Sequence, residues 1–512
     1  MSLMKPRAAA LLLSCLAATP APALAGDFMD TRITFVFGDD DVLHDAGETT
    51  PSSPPASFGV REGRVFADKN RATKGDETQA HLVLYRAADG FIAGLKTEAA
   101  FVLEFDPAKQ QARNPKAWRD DGTYINLVYD LASGPKDTAQ LTLYPFDTER
   151  FKLGYSYNLT WGGTKTFGAT RKGPAPGLRL GVDMVLADGG KAFGFVGAKT
   201  AQLVRYAPVD EPAINDEVDS FYAALAGGGF DTGTYRAEVN GGFFQRGTIA
   251  REHVRGESVD AVGGSVQLAV HDGLQVPKSA EFKRYRNDPT RIPPPPKGAG
   301  PDFGYVVATE ATWIVQSLED PDTVGGTRQQ HVQAGDMDVQ LKMGAWRPWL
   351  SLIYRDLGFV LFNVPSFVPY QDFSGDVDVA SELELVLGVD YHLPDLHLTP
   401  GILAGVVRPA SVTAVAEAGP HPPGTLAGKR TVVVRSEGDL TILPDGEAVF
   451  PIFAAQARVR WDLSEVVSVL GEAFVRLDQN RSELQDDVVG VATRVFEDPL
   501  QLGFIVLTQA RF

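Results

Sequence analysis

Between Ile452 and Asp462 apolar and polar side chains take turns. Phe453, Ala455, Ala457, Val459 and Trp461 occupy odd positions, and Gln456, Arg458, Arg460 and Asp462 occupy even ones. A period of two is that of a β-strand with one apolar and one charged face. The next run, "SEVVSVLGEAFVRLD", sets Val467, Val469, Ala473, Val475 and Leu477 against Ser468, Glu472, Arg476 and Asp478. In "SELELVLGVDY" Leu383, Leu385, Leu387, Val389 and Tyr391 oppose Glu382, Glu384 and Asp390. In "GDMDVQLKMG" Met337, Val339, Leu341 and Met343 oppose Asp336, Asp338, Gln340 and Lys342. In "FGYVVATEATWIV" Phe303, Tyr305, Val307, Ala311 and Trp313 oppose Glu310 and Thr312.

Such runs fall near 31–37, 80–87, 95–105, 122–131, 138–146, 152–161, 177–187, 192–204, 234–246, 258–270, 303–317, 333–344, 346–357, 381–392, 396–408, 449–462, 464–478 and 498–512. That makes about 18 strands, with 16 as the alternative; even counts are the rule for membrane barrels. Helical periodicity is scarce. Its best stretch is "INDEVDSFYAALAG", Ile214 to Gly227, which predicts one short loop helix.

Alternating strands suit a soluble sandwich, whose apolar face packs on a second sheet. They also suit a membrane barrel, whose apolar face meets lipid and whose polar face lines the lumen. Strand length favours the barrel. Many runs reach about 10–13 residues, beyond the usual five or six of soluble sheets and right for a tilted crossing. Aromatic residues gather near run ends (Phe303, Tyr305, Trp313, Trp346, Tyr354, Tyr391, Trp461), where an interfacial girdle would sit. Short turns such as "LPD" and "DLS" alternate with long polar loops.

The N-terminus adds an address. Lys5 and Arg7 precede an apolar run, Ala8 to Ala18, and Ala23-Leu24-Ala25 has the small-x-small form of a cleavage site. The segment 1–25 therefore reads as a secretory signal peptide. The alternative is a lipoprotein box, "LLSC", with Cys15 lipidated. Cys15 is the chain's one cysteine, so the mature protein would have no disulfide framework. The net charge of −17 argues against nucleic-acid binding. After the leader no run of 18 apolar residues predicts a transmembrane helix.

The chain ends in "GFIVLTQARF", with Phe504, Val506, Thr508, Ala510 and Phe512 on one face of an alternating run. Here the sequence resembles the Gram-negative outer-membrane β-barrel class, porin-like in type, in which a final strand ending in Phe is read by the barrel-assembly machinery. The resemblance implies an all-β fold: a single transmembrane antiparallel up-and-down β-barrel over 26–512 in the bacterial outer membrane. It implies an assembly signal at Phe504, Val506 and Phe512, with Phe512 at the periplasmic interface. Counting back, 409–448, 479–497, 358–380 and 318–332 become extracellular loops, and 393–395 and 463 become periplasmic turns. Parity then places 205–233 and 271–302 in the periplasm, unless "AEFKRYRND" forms an extra strand and moves 205–233 outside. The segment 38–79 reads as an extended polar loop, too short for the plug of an energy-coupled receptor.

Candidate chemistry lies on the faces opposite lipid. Glu310, Asp338, Lys342, Arg355, Glu384, Asp390, Arg458, Arg460, Glu472 and Arg476 are expected to line a lumen and set its selectivity. A barrel of this size leaves an aqueous path. Acidic and basic residues on opposing walls would impose a transverse field on polar solutes. The leading expectation is a porin-like channel for passive diffusion of small hydrophilic solutes, monomeric or trimeric. The alternatives are a non-conducting barrel that anchors an envelope, surface or motility complex through its loops, and an exporter of an acidic polymer along Arg458, Arg460 and Arg476. Asp39, Asp40 and Asp41 offer hard oxygen ligands for Ca²⁺, but their spacing fits no EF-hand and a solvated acidic loop is the plainer reading. "NLT" at Asn158 is a glycosylation sequon by pattern only. His392, Asp395 and His397 surround a turn. No G-x-S-x-G, HExxH or P-loop is present. No cofactor and no enzymatic activity are expected.

Overall fold

A computed structural model describes residues 32–39, 42–43, 80–105, 118–120, 122–131, 136–146, 151–153, 159–160, 173–186, 189–206, 217–276, 278–282, 303–362, 370–415, 428–434, 440–464, 466–486 and 492–511. The leader, Asp40, Asp41, Asn158, most of 38–79 and Phe512 lie outside these residues.

The barrel strands, in chain order, are β1 (Arg32–Asp39), β2 (Ala80–Asp89), β3 (Leu95–Phe105), β4 (Tyr124–Asp130), β5 (Thr138–Tyr144), β6 (Gly177–Val185), β7 (Lys191–Arg205), β8 (Glu217–Asp231), β9 (Tyr235–Thr248), β10 (Ser258–Asp272), β11 (Phe303–Glu319), β12 (Thr327–Met343), β13 (Trp346–Arg355), β14 (Glu382–Tyr391), β15 (Leu398–Arg408), β16 (Ile452–Asp462), β17 (Val467–Leu477) and β18 (Leu500–Arg511). Each pairs antiparallel with its successor. The sheet has 19 strands; the extra one, Trp118–Asp120, pairs only with β3 and continues the line of β4, so 19 − 1 = 18 staves. β18 pairs with β1 over eight residues, from Arg32↔Arg511 to Asp39↔Phe504. β1 meets β2 at the single described pair Arg32↔His81.

Up-and-down order fixes two rims. The terminal rim carries Arg32 and Arg511; the distal rim is the other. Terminal-rim turns are mostly short, such as 232–234 and 344–345, and the long connections cluster on the distal rim. The outer face is apolar: in β11 Phe303, Val307 and Trp313 are exposed while Val306, Ala308, Glu310, Thr312 and Ile314 are buried. Exposed aromatics form two belts, Phe230, Tyr235, Phe303, Trp346 and Trp461 toward the terminal rim and Tyr222, Phe243, Trp313, Tyr354 and Phe453 toward the distal one. Phe303 and Trp313 are ten residues apart, and ten residues of a strand tilted by about 40° rise about 25 Å, the height of an outer-membrane apolar band. The apolar outer face is thus a lipid face, and the chain is an all-β outer-membrane barrel.

Two expectations about elements are corrected. The helix expected over Ile214 to Gly227 is strand β8, with Phe221, Ala223 and Leu225 buried and Tyr222, Ala224 and Ala226 exposed. Small or apolar residues occupy both faces there, which hides the period of two. The strand expected at 152–161 is not a stave: among the described residues there, Phe151–Leu153 and Leu159–Thr160 are extended and lie in a separate sheet. One strand gained and one lost leave the total at 18, and parity moves 206–216 to the distal rim while 273–302 stays at the terminal one. The helix lies elsewhere, as α1 (Leu357–Phe362), six buried apolar residues after β13.

Two inserts enter the barrel. α1 folds in from the distal rim onto Val332, Ala334 and Ile353; a Cβ on Gly358 would collide with Val332. Phe362 stands edge-on to Phe244, with centroids 6.4 Å apart. The second insert is a three-stranded sheet in which Ala280–Phe282, from the terminal-rim connection, pairs with Phe151–Leu153, from the distal one.

Candidate functional site: the charged inner wall

All ten residues expected to line the lumen lie on the face opposite lipid. Glu310, Asp338, Glu384, Asp390, Arg458 and Glu472 are buried, and Lys342, Arg355, Arg460 and Arg476 are half-buried. Their periodicity made them legible, because their outward neighbours are apolar or small, with Thr309 beside Glu310 as an exception.

Their distribution departs from the expected transverse field. Arg458 forks Asp390 from two strands away, Nε to Oδ1 at 3.0 Å and Nη2 to Oδ1 and Oδ2 at 2.8 Å. Gly401 on β15 lies between them; a Cβ there would overlap Asp390 Oδ1, so the missing side chain is the gap through which the pair forms. Arg355 Nε donates to Glu382 Oε1 on the next strand at 2.7 Å. Arg460 reaches Asp462 at 2.8 Å and Arg476 reaches Asp478 at 3.1 Å. Bidentate guanidinium–carboxylate geometry is the strong form of such pairs. The charge of Arg355, Arg458, Arg460 and Arg476 is therefore matched locally, by a partner on the same strand or up to two strands away, rather than across the lumen. The same pairing removes the bare arginine track that a polymer exporter would use.

Sequence reading singled out Glu310 but not the polar row to which it belongs. Glu238 on β9, Gln267 on β10, Glu310 on β11 and Asp336 on β12 share one register row. All four are buried. Alternation marks them as inward, but nothing in the sequence shows that the row is crossed by the insert at Ser279. Glu238 accepts Arg236 Nη2 at 2.5 Å and Asn240 Nδ2 at 3.1 Å.

Arg246 lies under the distal insert. Its Nη2 donates to Phe362 O at 3.1 Å, its guanidinium stands 4.2 Å from the Phe362 ring centroid, and Tyr370 Oη donates to Arg246 O at 2.8 Å. At the terminal rim, His392 Nδ1 and Thr399 Oγ1 are 3.0 Å apart. Burial, then nearby Arg347, pushes the His392 pKa down. His397 sits in the left-handed region, φ 51°, closing the turn after Pro394–Leu396. Among the described residues no group of three or more His, Cys, Asp or Glu is placed to hold a metal ion. Asp39 closes β1, and its neighbours Asp40 and Asp41 are outside the described residues. Val506 is exposed and Phe504 half-buried on the outer face of β18.

No family model matches the chain, and no curated protein does. Solved structures with a similar layout include two porins and an outer membrane protein. The anion-selective porin from Comamonas acidovorans has TM-score 0.36 and 10% identity over 95% of this chain and 98% of its own. A BenF-like porin from Pseudomonas fluorescens Pf-5 has TM-score 0.43 and 8% identity over 96% and 99%. OpdK from Pseudomonas aeruginosa, solved with vanillate, has TM-score 0.40 and 9% identity over 96% and 99%.

Proposed function

We propose that this barrel is a porin-like channel for passive diffusion of small hydrophilic solutes across the outer membrane, with its terminal rim in the periplasm and its distal rim outside. One observation carries the reading. On the inner faces of β16 and β17 the charged side chains of Arg460, Asp462 and Arg476 stay partly open to solvent even though they are paired. A lumen holding water supports the passage of polar solutes. The path runs along β14–β18, onto which neither described insert packs.

Planar-bilayer conductance of the purified protein tests this. Steady ohmic steps are expected; a folded, heat-modifiable barrel that passes no current would overturn it. The apolar seating of the two inserts favours the second reading, a closed barrel that anchors other proteins by its loops, and the same silence would select it. Within the channel reading, Arg460→Glu with Arg476→Glu replaces two partly exposed cations beside Asp462 and Asp478. Reversal potentials in a salt gradient should move toward cation preference. Unchanged selectivity would place the conducting path elsewhere.

A further inference from the structure

We propose that residues 274–276 and 278–282 belong to an arm that enters the lumen from the terminal rim and sets the bore of the channel, and that Ser279 is the residue that holds it. The proposal rests on the channel reading above. The chain leaves β10 at Asp272 and turns inward: Leu274 and Val276 pack on Ala269, Val306 and Ala308, residues of the inner wall. The arm then climbs to the carboxylate row. Ser279 is 1% exposed. Its Oγ lies 2.9 Å from Ser265 Oγ, accepts from Asn240 Nδ2 at 3.1 Å and donates to Glu310. The backbone N–H groups of Ser279 and Ala280 reach the two oxygens of Glu238 at 3.4 and 3.0 Å. At the tip Phe282 meets Phe195 edge-on at 4.9 Å, with the Arg179 guanidinium 5.0 Å from its ring. Beyond the latch the arm adds its strand to the insert from the opposite rim.

A carboxylate is expensive to bury unless donors surround it. Glu238 spends two of its acceptor positions on the backbone of this arm, and Glu310 receives its hydroxyl. The flanking hairpins on this rim, β8–β9 and β12–β13, turn in three and two residues, so β10 and β11 need no such connection to pair. The latch explains why the long connection lies inside the barrel: three wall strands, β9, β10 and β11, each contribute a polar side chain to one serine.

The test pairs a covalent lock with a release. In Ser265→Cys/Ser279→Cys, oxidation should link the arm to the wall in the folded barrel, and the locked form should conduct as the wild type does. Ser279→Asp sets a third carboxylate against Glu238 and Glu310 and should expel the arm, raising single-channel conductance by about twofold or more, because ions gain the cross-section it occupied. If the aspartate variant does not reach the heat-modifiable form, Ser279→Gly removes the hydroxyl without added charge and should raise open-channel noise and conductance in the same direction. Failure of the cross-link in a folded barrel overturns the arm's placement. A cross-link with unchanged conductance in the release variants overturns its control of the bore. A silent wild type with a conducting release variant upholds the arm and overturns the freely conducting resting state. Silence in both overturns the arm together with the channel.

Discussion

At the residue scale, Gly401 makes the most specific statement. The Arg458–Asp390 pair skips a strand, and only a glycine on that strand leaves room for it. Removing one partner of a buried pair strands the other charge, at a cost of about 3–5 kcal/mol. Gly401→Val should therefore destabilise the barrel about as much as Asp390→Ala does, with the double variant adding little. Denaturant unfolding in detergent micelles measures all three, and additivity would show that the glycine acts by another route. Sequence alternation identified Asp390 and Arg458 as inward. It did not identify them as partners, because they are 68 residues apart and the register that brings them together depends on β15 between them. Local pairing of the arginines was illegible for the same reason: period-two reading assigns a face, not a neighbour.

At the element scale, β8 and α1 show where periodicity fails. β8 carries Ala224 and Ala226 outward and Ala223 and Leu225 inward, so both faces read as weakly apolar and the run resembles a helix. α1 is too short and too uniformly apolar to show any period. The clear strands, β11 to β14 and β16 to β18, each set charged or amide side chains on the inner face against apolar ones on the outer. The strand assignment predicts that Ala226→Arg, facing lipid, costs up to about 2–4 kcal/mol, whereas lysine substitution at the rim residue Asp219 costs little. Equal effects at both sites would contradict it. On the distal rim, Arg328 joins Asp320 and Asp322 at 3.2 and 2.9 Å, and Asp322 takes Ser374 Oγ at 2.6 Å and the Gly375 N–H at 3.0 Å. These hydrogen bonds, from Ser374 first, pull the Asp322 pKa below its ordinary value. A lowered folded-state pKa means that docking is fully supported above the ordinary carboxylate range and is lost as pH falls through the folded value. A spin label at Asp376→Cys should grow more mobile on acidification, and Asp322→Asn should be mobile already at neutral pH.

At the scale of the whole molecule, the barrel brings its first and last strands together along β1 and β18. The outer face of β18 presents Val506 and Phe504, and from the resemblance to outer-membrane barrels we propose that they form, with Phe512, an assembly signal. Phe512→Ser should lower the amount of folded protein recovered from membranes, while refolding from urea into detergent proceeds as for the wild type. An equal deficit in both would make Phe512 a stability residue instead. The barrel and its lipid face were legible because a membrane imposes one rule on every strand; the strand number agreed only because one strand missed and one wrongly counted cancel. The inserts were not, since no such rule governs what a loop does once inside.

The ladder between Phe151–Leu153 and Ala280–Phe282 joins a loop that begins at one rim to a loop that begins at the other. A pull on one is carried to the other through backbone hydrogen bonds and, past Ala280, to the wall through Ser279. The barrel thus contains a mechanical linkage between its two rims. In the proposed orientation, an antibody that grips the distal-rim segment carrying Phe151–Leu153 would load the terminal-rim arm through Ala280–Phe282.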